Sequence, residues 1–179
     1  MPGASLRQLF SAQQIQKRVL EIGAQIDLDY PDGSLHLVCI LKGACFFMAD
    51  LARAIERDVV IDFMGISTYG HGKTTSGSIR VTKDLDTTIE GADVLLIEDI
   101  VDSGLTLSYL RKGLLARNPA SLEICALLVK SGQQRAGLEV AYIGFDIQPA
   151  FVVGYGLDAA ERYRNLPDIR ILGTESATP

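Results

Sequence analysis

The sequence has no tryptophan, only two histidines and only three cysteines. The cysteine count is odd and no C-x-x-C pair occurs, so neither a disulfide framework nor a Cys/His zinc site is expected. No apolar stretch reaches the roughly 18 residues that span a bilayer, and the first residues lack the apolar segment of a signal peptide. The cysteines lie in or beside apolar runs, which favours buried thiols in a reducing compartment. We therefore expect a cytoplasmic protein that does not bind membranes.

Positive charge is also scarce, because 17 Lys and Arg residues stand against 22 Asp and Glu residues, for a net charge of −5. This balance argues against a protein that coats nucleic acid, but it leaves room for one anionic ligand in a local pocket. The length of 179 residues predicts a single domain, residues 1–179, with one sizeable core. Collagen, coiled coil and bulk disorder are excluded, since there is no repeat period and no strong charge bias.

Short apolar runs alternate with helical patterns, which predicts an α/β domain built on a parallel sheet with a five-stranded core. Ser11 is placed to cap a first helix, whose apolar residues recur at helical spacing as far as Ile26. We expect residues 174–179 to fray. Further helices are predicted at 44–57 and 105–117, and strands at 35–41, 59–66, 79–82, 93–97, 122–129, 140–145 and 151–153.

The richest polar string follows the apolar strand predicted at 93–97. Glu98, Asp99 and Asp102 place three carboxylates within five residues, and a turn and a helix start come next. Backbone N–H groups at that helix start, with the hydroxyls of Ser103 and Thr106, form a cradle for phosphate. Carboxylates suit ribose hydroxyls or Mg²⁺. A D-x-x-D alone would indicate a helix cap and a solvated loop, but the whole string favours a ribose 5-phosphate site.

Three weaker patterns allow more than one interpretation. Lys42 with Gly43, and Lys130, end predicted strands, where each lysine would either bind an anion or lie in water. The pattern G-x-G-x-x-A at 154–159 fits a loose dinucleotide fingerprint, although too little chain follows it for a complete βαβ unit. Residues 72–74, Gly-Lys-Thr, hint at a P-loop, but Ser67 stands where its first glycine is required.

The segment LLIEDIVDSGLTL, residues 95–107, resembles the phosphoribosyl diphosphate motif of the type I phosphoribosyltransferases. Four motifs in order between 35 and 171 make the resemblance closer to the hypoxanthine-guanine phosphoribosyltransferases. The resemblance implies a twisted, Rossmann-like parallel sheet flanked by helices, with a small hood from the N- and C-terminal segments. It also implies purine salvage, in which a 5-phosphoribosyl group passes from phosphoribosyl diphosphate to N9 of hypoxanthine or guanine, with Mg²⁺ as cofactor. A homo-oligomer, dimer or tetramer, is typical of the family.

The same resemblance assigns roles to individual residues. Asp102 would be the general base that takes the N7 proton of the purine, and Lys130 would donate to its 6-oxo group. Phe151 would stack on the base, and Val152 would offer backbone groups to its edge. The remaining assignments are Ser103, Gly104, Leu105 and Thr106 for the 5′-phosphate, and Lys42, Gly43 and Arg164 for pyrophosphate. Glu98 and Asp99 would hold the ribose diol, directly or through a first Mg²⁺. Asp158 would hold a second Mg²⁺ and is also assigned to the purine site.

Residues 67–78, STYGHGKTTSGS, resemble the mobile loop that closes over the reacting centre in this family. Thr68-Tyr69 stands where the family has Ser-Tyr. The family often has a cis peptide at Leu41–Lys42, and the sequence leaves that isomer open. It also leaves open the preference among hypoxanthine, guanine and xanthine. The alternative is a non-catalytic nucleotide-binding regulator on the same fold. The presence of all four family residues argues against it, namely Asp102, Lys130, Phe151 and Asp158.

Overall fold

The computed structural model describes residues 4–69, 78–132 and 137–174. Twelve elements lie in these ranges. In chain order they are β1 (Ala4–Phe10), α1 (Ala12–Asp29), β2 (Leu35–Leu41), α2 (Cys45–Ala54), β3 (Val59–Tyr69), β4 (Ser78–Lys83), β5 (Asp93–Val101), α3 (Leu105–Leu115), β6 (Ser121–Lys130), β7 (Tyr142–Ile147), β8 (Val152–Val153) and β9 (Ile169–Thr174).

The main sheet has six strands in the order β4-β3-β2-β5-β6-β7. Five neighbouring strands of this sheet pair in parallel, in the order β3, β2, β5, β6 and β7. Strand β4 runs antiparallel along the outer edge of β3. The prediction of an α/β fold with a five-stranded parallel core is therefore confirmed, with β4 as an added antiparallel edge. Among the described residues, no helix combines the length and the apolar character needed to cross a membrane.

Helices cover both faces of this sheet. Alternate residues of β2 point to opposite sides, so that Leu37 and Cys39 pack in the core beneath α1 and α2 while Val38 and Ile40 pack in the core beneath α3. Strands buried on both faces read as continuous apolar runs, which is why β2, β5 and β6 were recognisable from sequence. Cys39 and Cys125 are fully buried free thiols, as expected.

Helix α1 begins as the sequence indicated. The Ser11 side chain accepts from the backbone N–H of Gln14, and the Gln14 side chain accepts from the Ser11 N–H, forming a capping box. The helix extends to Asp29, one turn past the predicted end. Its buried face consists of the predicted stripe and one glycine, Ile15, Val19, Ile22, Gly23 and Ile26.

Strands β1, β9 and β8 form a small antiparallel sheet. This sheet and residues 154–168, which connect β8 to β9, make up the hood, which meets the loop after β2 where Gly156 approaches Gly43. Its origin in the N- and C-terminal segments was expected. The strands β1 and β9 were not predicted, because most side chains of β1 are exposed or half-buried and show no clean alternation. Asp168 joins the two ends of the hood, since its carboxylate accepts from Gln8 at 2.8 Å and from Arg170 at 2.9 Å.

Several predicted boundaries were wrong by two or three residues. Helix α2 ends at Ala54 rather than 57, because Ile55 takes an extended conformation with ψ 129°. Helix α3 ends at Leu115, two residues before the predicted end, and β7 lies two residues later than predicted. Thr174 belongs to β9, so the fraying predicted from 174 is wrong at that residue, and residues 175–179 lie outside the described ranges.

Candidate active site

The predicted ligand-binding residues gather where the parallel strands end. Lys42 follows β2, Asp102 follows β5, and Lys130 closes β6. Because β2, β5 and β6 are neighbours, their carboxyl ends share one edge of the sheet, where ligands bind in open α/β folds. Lys130 Nζ lies 2.7 Å from Asp102 Oδ2, with the lysine mostly buried and the acid half-exposed. The structure therefore brings together the two residues predicted to act on a purine.

Strand β5 was predicted to end at Ile97, directly before Glu98 and Asp99, and this end was wrong. Strand β5 continues to Val101, and β6 pairs with it beyond the acids through Ile100 with Leu128 and Val101 with Val129. The apolar side chain of Val101 is buried, so the strand is held in the sheet for four residues after Ile97. The two carboxylates are thus mounted on a rigid strand, and only Asp102 begins the turn.

These two acids form a half-buried pair at the end of β5. Burial, and then the adjacent Asp99 carboxylate, raise the pKa of Glu98 well above its ordinary range. Burial also raises the pKa of Asp99, although its carboxylate accepts a 2.7 Å hydrogen bond from the Ile100 N–H. Glu98 Oε2 is buried and has no hydrogen-bond partner among the residues that the structure describes. A buried acceptor that lacks a donor is costly, so this oxygen suits a ligand hydroxyl or a cation.

The donor set fits magnesium bound together with a substrate. No group of three or more His, Cys, Asp or Glu side chains with metal-binding geometry occurs in the described part of the chain. Mg²⁺ commonly takes one or two carboxylates and completes its shell with water and substrate phosphate. Glu98 and Asp99 meet that requirement. Asp158 lies between β8 and β9, where one of its oxygens accepts a hydrogen bond from the Glu161 N–H and the other pairs with Arg164.

The loop after β2 is pressed between β5 and the hood. The Leu41–Lys42 peptide bond is cis. A Cβ atom built on Gly43 would overlap the Asp99 carboxylate, and one built on Gly156 would overlap the Gly43 carbonyl. Only glycine permits both approaches. The predicted pyrophosphate loop, the predicted metal-binding acids and the hood therefore meet at Gly43.

A network of charges in the hood faces this loop. Arg164 donates to the Gly156 carbonyl at 2.7 Å and pairs with Asp158 at 2.8 Å. Glu161, which the sequence did not single out, lies 3.1 Å from Lys42 Nζ and 3.3 Å from Arg164 Nη2. A hydrogen bond from Lys42, followed by one from Arg164, lowers the pKa of Glu161. Nothing in the local sequence marks Glu161, because its partner Lys42 is 119 residues away.

The predicted phosphate cradle is the amino end of α3. Gly104 precedes the helix with a left-handed φ of 70°, and no side chain caps the first turn. Ser103 is exposed beside it, and Leu105 is the first helical residue. The first N–H groups of a helix have no intrahelical partners and carry the positive end of its dipole. The turn therefore presents backbone donors and a hydroxyl to an anion.

The remaining predicted residues are placed as follows. Phe151 lies just before β8 instead of inside it, with 57% of its surface exposed, whereas Val152 is buried and pairs with Ile171. Thr68 and Tyr69 belong to the end of β3, so the predicted loop start at 67 was wrong. The antiparallel partner β4 begins at Ser78 and holds these residues in the sheet. The rest of the predicted mobile loop, 70–77, lies outside the described residues.

Comparison with known proteins identifies the arrangement. Residues 5–160 match the phosphoribosyl transferase domain. The chain belongs to the phosphoribosyl transferase family. The hypoxanthine-guanine phosphoribosyltransferase of Mycobacterium tuberculosis is 50% identical over 177 residues, covering 96% of this chain and 88% of that one. The enzyme of that name from Bacillus subtilis is 48% identical over 164 residues, covering 92% and 91%. A solved hypoxanthine phosphoribosyltransferase of Staphylococcus aureus superposes with a TM-score of 0.90 at 43% identity, covering 97% and 94%.

The geometry at Gly154 also separates this phosphoribosyltransferase from a dinucleotide-binding protein. Gly154 and Gly156 have φ values of +99° and +100° and lie in a turn. No helix follows them up to residue 174 within the described residues, whereas a dinucleotide fingerprint must open a helix. That alternative interpretation was therefore wrong. The P-loop alternative at 72–74 lies outside the described residues.

Proposed function

We propose that this phosphoribosyltransferase transfers the 5-phosphoribosyl group of phosphoribosyl diphosphate to N9 of hypoxanthine or guanine. The products are IMP or GMP and pyrophosphate, as purine salvage requires. The names of the M. tuberculosis and B. subtilis relatives support this activity over most of the chain. The observation that carries it is the 2.7 Å contact between Asp102 and Lys130, a carboxylate and an ammonium at adjacent strand ends.

The ribose phosphate is held by the turn into α3 and by β5. Backbone N–H groups of Gly104, Leu105 and Thr106, with the hydroxyl of Ser103, bind the 5′-phosphate. The ribose hydroxyls donate to the half-buried Glu98 and Asp99 carboxylates, and one of them pairs with the buried Glu98 Oε2 atom. Fixing both ends of the sugar orients its C1 atom for attack.

The chemical step breaks the bond between ribose C1 and the diphosphate oxygen and forms a bond between C1 and purine N9. Asp102 accepts the N7 proton as the bond forms, acting as general base. Lys130 donates to O6 of the purine while its charge stays beside the Asp102 carboxylate. Because Lys130 is mostly buried, a 6-amino group in place of O6 would leave its ammonium without an acceptor. Phe151 stacks on the purine ring, and the Val152 backbone contacts the base edge.

The leaving diphosphate is received by Lys42, Gly43 and Arg164. Their positive charges and backbone donors stabilise the negative charge that develops as the C1 bond breaks. Glu98, Asp99 and Asp158 would hold Mg²⁺, which when bound with the diphosphate neutralises part of its charge. Thr68 and Tyr69 carry the loop that excludes water from the reacting centre.

The test is an assay of the purified protein with phosphoribosyl diphosphate and Mg²⁺. Each of hypoxanthine, guanine, xanthine and adenine is supplied separately, and kcat/KM is measured for each. We expect turnover with hypoxanthine or guanine, release of one pyrophosphate per nucleotide, and little or no reaction with adenine. Nucleotide binding without pyrophosphate release, across Mg²⁺ concentration and pH, would show instead the non-catalytic regulator.

We also propose that the enzyme works in the cytoplasm as a dimer or tetramer. Large apolar side chains are exposed on α1, α2 and β3, among them Leu20 at 56%, Phe46 at 45% and Ile61 at 45%. Leu20 and Phe46 line a groove between α1, α2 and residues 165–167. An exposed apolar groove of this kind commonly marks a protein interface. Light scattering of the purified protein should give a mass two or four times the chain's 19.4 kDa, and a mass equal to that of one chain would contradict the proposal.

A further inference from the structure

Glu161 is bonded to the two side chains whose positive charge is assigned to pyrophosphate. The same carboxylate oxygen, Glu161 Oε2, lies 3.1 Å from Lys42 Nζ and 3.3 Å from Arg164 Nη2. Lys42 follows β2, and Arg164 lies in the hood, so this one oxygen bridges the two sides of the diphosphate site. A bridging phosphate oxygen would make the same two contacts with the same donors.

The turn that carries Glu161 holds it in this position. The Glu161 N–H donates to Asp158 at 2.8 Å. Ala160, Glu161 and Tyr163 have φ values of +51°, +64° and +74°, which is the left-handed region that non-glycine residues seldom adopt. Three such residues in four positions direct the Glu161 side chain at the cations. Strained backbone of this kind persists where the surrounding structure determines it, and it concentrates at functional sites.

The exposure of Lys42 and Glu161 argues against a purely structural role for their ion pair. The side chains of Lys42 and Glu161 are 67% and 66% exposed, whereas Arg164 is 21% exposed. Ion pairs in water are weak and are readily exchanged for another anion. Arg164 also pairs with Asp158 and donates to the Gly156 carbonyl, and neither contact involves the Glu161 carboxylate. Arg164 therefore has other partners that hold it in place.

We propose that Glu161 is an internal competitor of pyrophosphate for Lys42 and Arg164. An arriving diphosphate displaces the carboxylate, and the carboxylate returns to the cations as the pyrophosphate product leaves. This role rests on the proposed function, since it assumes that both cations bind the diphosphate. Its effect is to weaken binding of phosphoribosyl diphosphate and pyrophosphate while leaving the purine site unchanged.

The test replaces Glu161 by Gln and measures binding of inorganic pyrophosphate with Mg²⁺ to the free protein by calorimetry. We expect roughly twofold to fivefold tighter binding, the change that loss of one solvent-exposed ion pair predicts. The difference in pyrophosphate affinity between Glu161→Gln and the wild type should become smaller as salt is added, because salt screens exposed charges. Glu161→Asn is a second variant, since Asn tolerates the left-handed φ at this position. Glu90→Gln, at an exposed residue before β5, is the matched control and should change nothing.

Two further measurements decide between competition and other roles. In steady-state assays, Glu161→Gln should lower the KM for phosphoribosyl diphosphate and strengthen product inhibition by pyrophosphate, with the KM for hypoxanthine unchanged. In a Lys42→Met background the same substitution should lose most of its effect. A wild-type enzyme that turns over hypoxanthine, paired with variants that bind pyrophosphate no more tightly, overturns only the role of Glu161. Absence of wild-type turnover overturns the proposed function instead.

Discussion

The hydroxyl of Tyr155 donates a 2.5 Å hydrogen bond to the carboxylate of Asp50 and so joins the hood to α2. Tyr155 is buried, with a left-handed φ of 50°, and its neighbour Gly156 packs against the Gly43 carbonyl. The bond therefore sets how closely the hood approaches the pyrophosphate loop. Burial, followed by the hydrogen bond to Asp50, raises the pKa of the Tyr155 hydroxyl, which keeps it a donor.

Replacing Tyr155 by Phe removes this bond and keeps the ring. We expect a loss of about 1–3 kcal/mol in the free energy of unfolding, because the Asp50 carboxylate loses a donor. The KM for phosphoribosyl diphosphate should rise more than kcat falls, since the residue positions the loop and touches no reacting atom. Urea unfolding and steady-state kinetics measure the two effects. Tyr109→Phe, at a ring that is 52% exposed, is the control and should leave both unchanged.

Replacing Gly43 by Ala should disable the site while the rest of the protein stays folded. The added methyl group would overlap the Asp99 carboxylate, so either the loop or the acid must move. A displacement of about 1 Å in a substrate-positioning element can cost on the order of 10²-fold in rate, and kcat/KM should fall accordingly. Gly113→Ala in α3 meets no atom within 4 Å and should be active and slightly more stable. Equal activities of the two variants would contradict the close approach.

Replacing Asp102 by Asn should lower kcat by roughly 10²–10⁴, the range for loss of a general base. Asn retains the size of the side chain and can still accept from Lys130, so the fold and substrate binding should persist. Binding of phosphoribosyl diphosphate to the variant, measured by calorimetry, should be close to that of the wild type. Asp146→Asn, at an exposed position on β7, provides the control. An unchanged kcat would remove Asp102 from the role of base.

Replacing Lys130 by Met should weaken the selection of 6-oxopurines. The hydrogen bond from a charged donor to O6 is worth about 1.5–3 kcal/mol, which corresponds to roughly tenfold to 150-fold in kcat/KM for hypoxanthine. The ratio of hypoxanthine to adenine turnover should narrow, because the ammonium no longer opposes a 6-amino group. Lys112→Met on the exposed side of α3 should keep the wild-type ratio. A ratio that stays constant in the Lys130 variant would show that the backbone selects the base.

Replacing Asp168 by Asn should destabilise the hood in a pH-dependent way. Hydrogen bonds from Arg170 first, and from Gln8, hold the pKa of Asp168 below its ordinary value of 3.8, although burial opposes them. Between the lowered pKa and 3.8 the unfolded chain binds more protons than the folded protein, so stability rises with pH there. The contribution is complete above about pH 3.8 and is lost as the pH falls through the folded pKa.

At neutral pH the variant should therefore lose about 1–3 kcal/mol in the free energy of unfolding. The difference from wild type should shrink below about pH 3.8, which urea unfolding at a series of pH values measures. Asp32→Asn, at an exposed residue in the turn before β2, should show no such dependence. If the free energies of unfolding of wild type and the Asp168 variant differ by the same amount throughout the acid range, the ionised carboxylate does not stabilise the hood.

The main sheet and the position of the turn proposed to bind phosphate were predictable because their signals are local. An apolar run such as Leu35–Leu41 predicts a buried strand whatever its neighbours are, and the string from Glu98 to Thr106 carries its chemistry in nine consecutive residues. The end of β5 was misjudged, because Ile100 and Val101 continue the strand past two acids that usually end one. Pairing with β6 outweighs the local preference at that point.

The contacts that shape the diphosphate side were not predictable from one sequence. Tyr155 is hydrogen-bonded to Asp50, which is 105 residues away in the sequence, and Lys42 is bonded to Glu161, which is 119 residues away. Each residue is an ordinary polar side chain in its own segment, and its role exists only in the folded chain. The same holds for the orphaned oxygen of Glu98, which depends on burial from several elements.

The pairing of β1 with β9 has a consequence for how the protein is made. The hydrogen bond from Gln8 to Asp168 joins residues that are 160 positions apart, so it cannot form before Asp168 has been synthesised. The strands of the main sheet all lie between β1 and β8 in the chain, so their pairing does not require β9, whereas the pairing of β1 does. A nascent chain therefore carries the turn proposed to bind the ribose phosphate before Arg164 is synthesised, so the diphosphate side of the site is completed after the phosphate side.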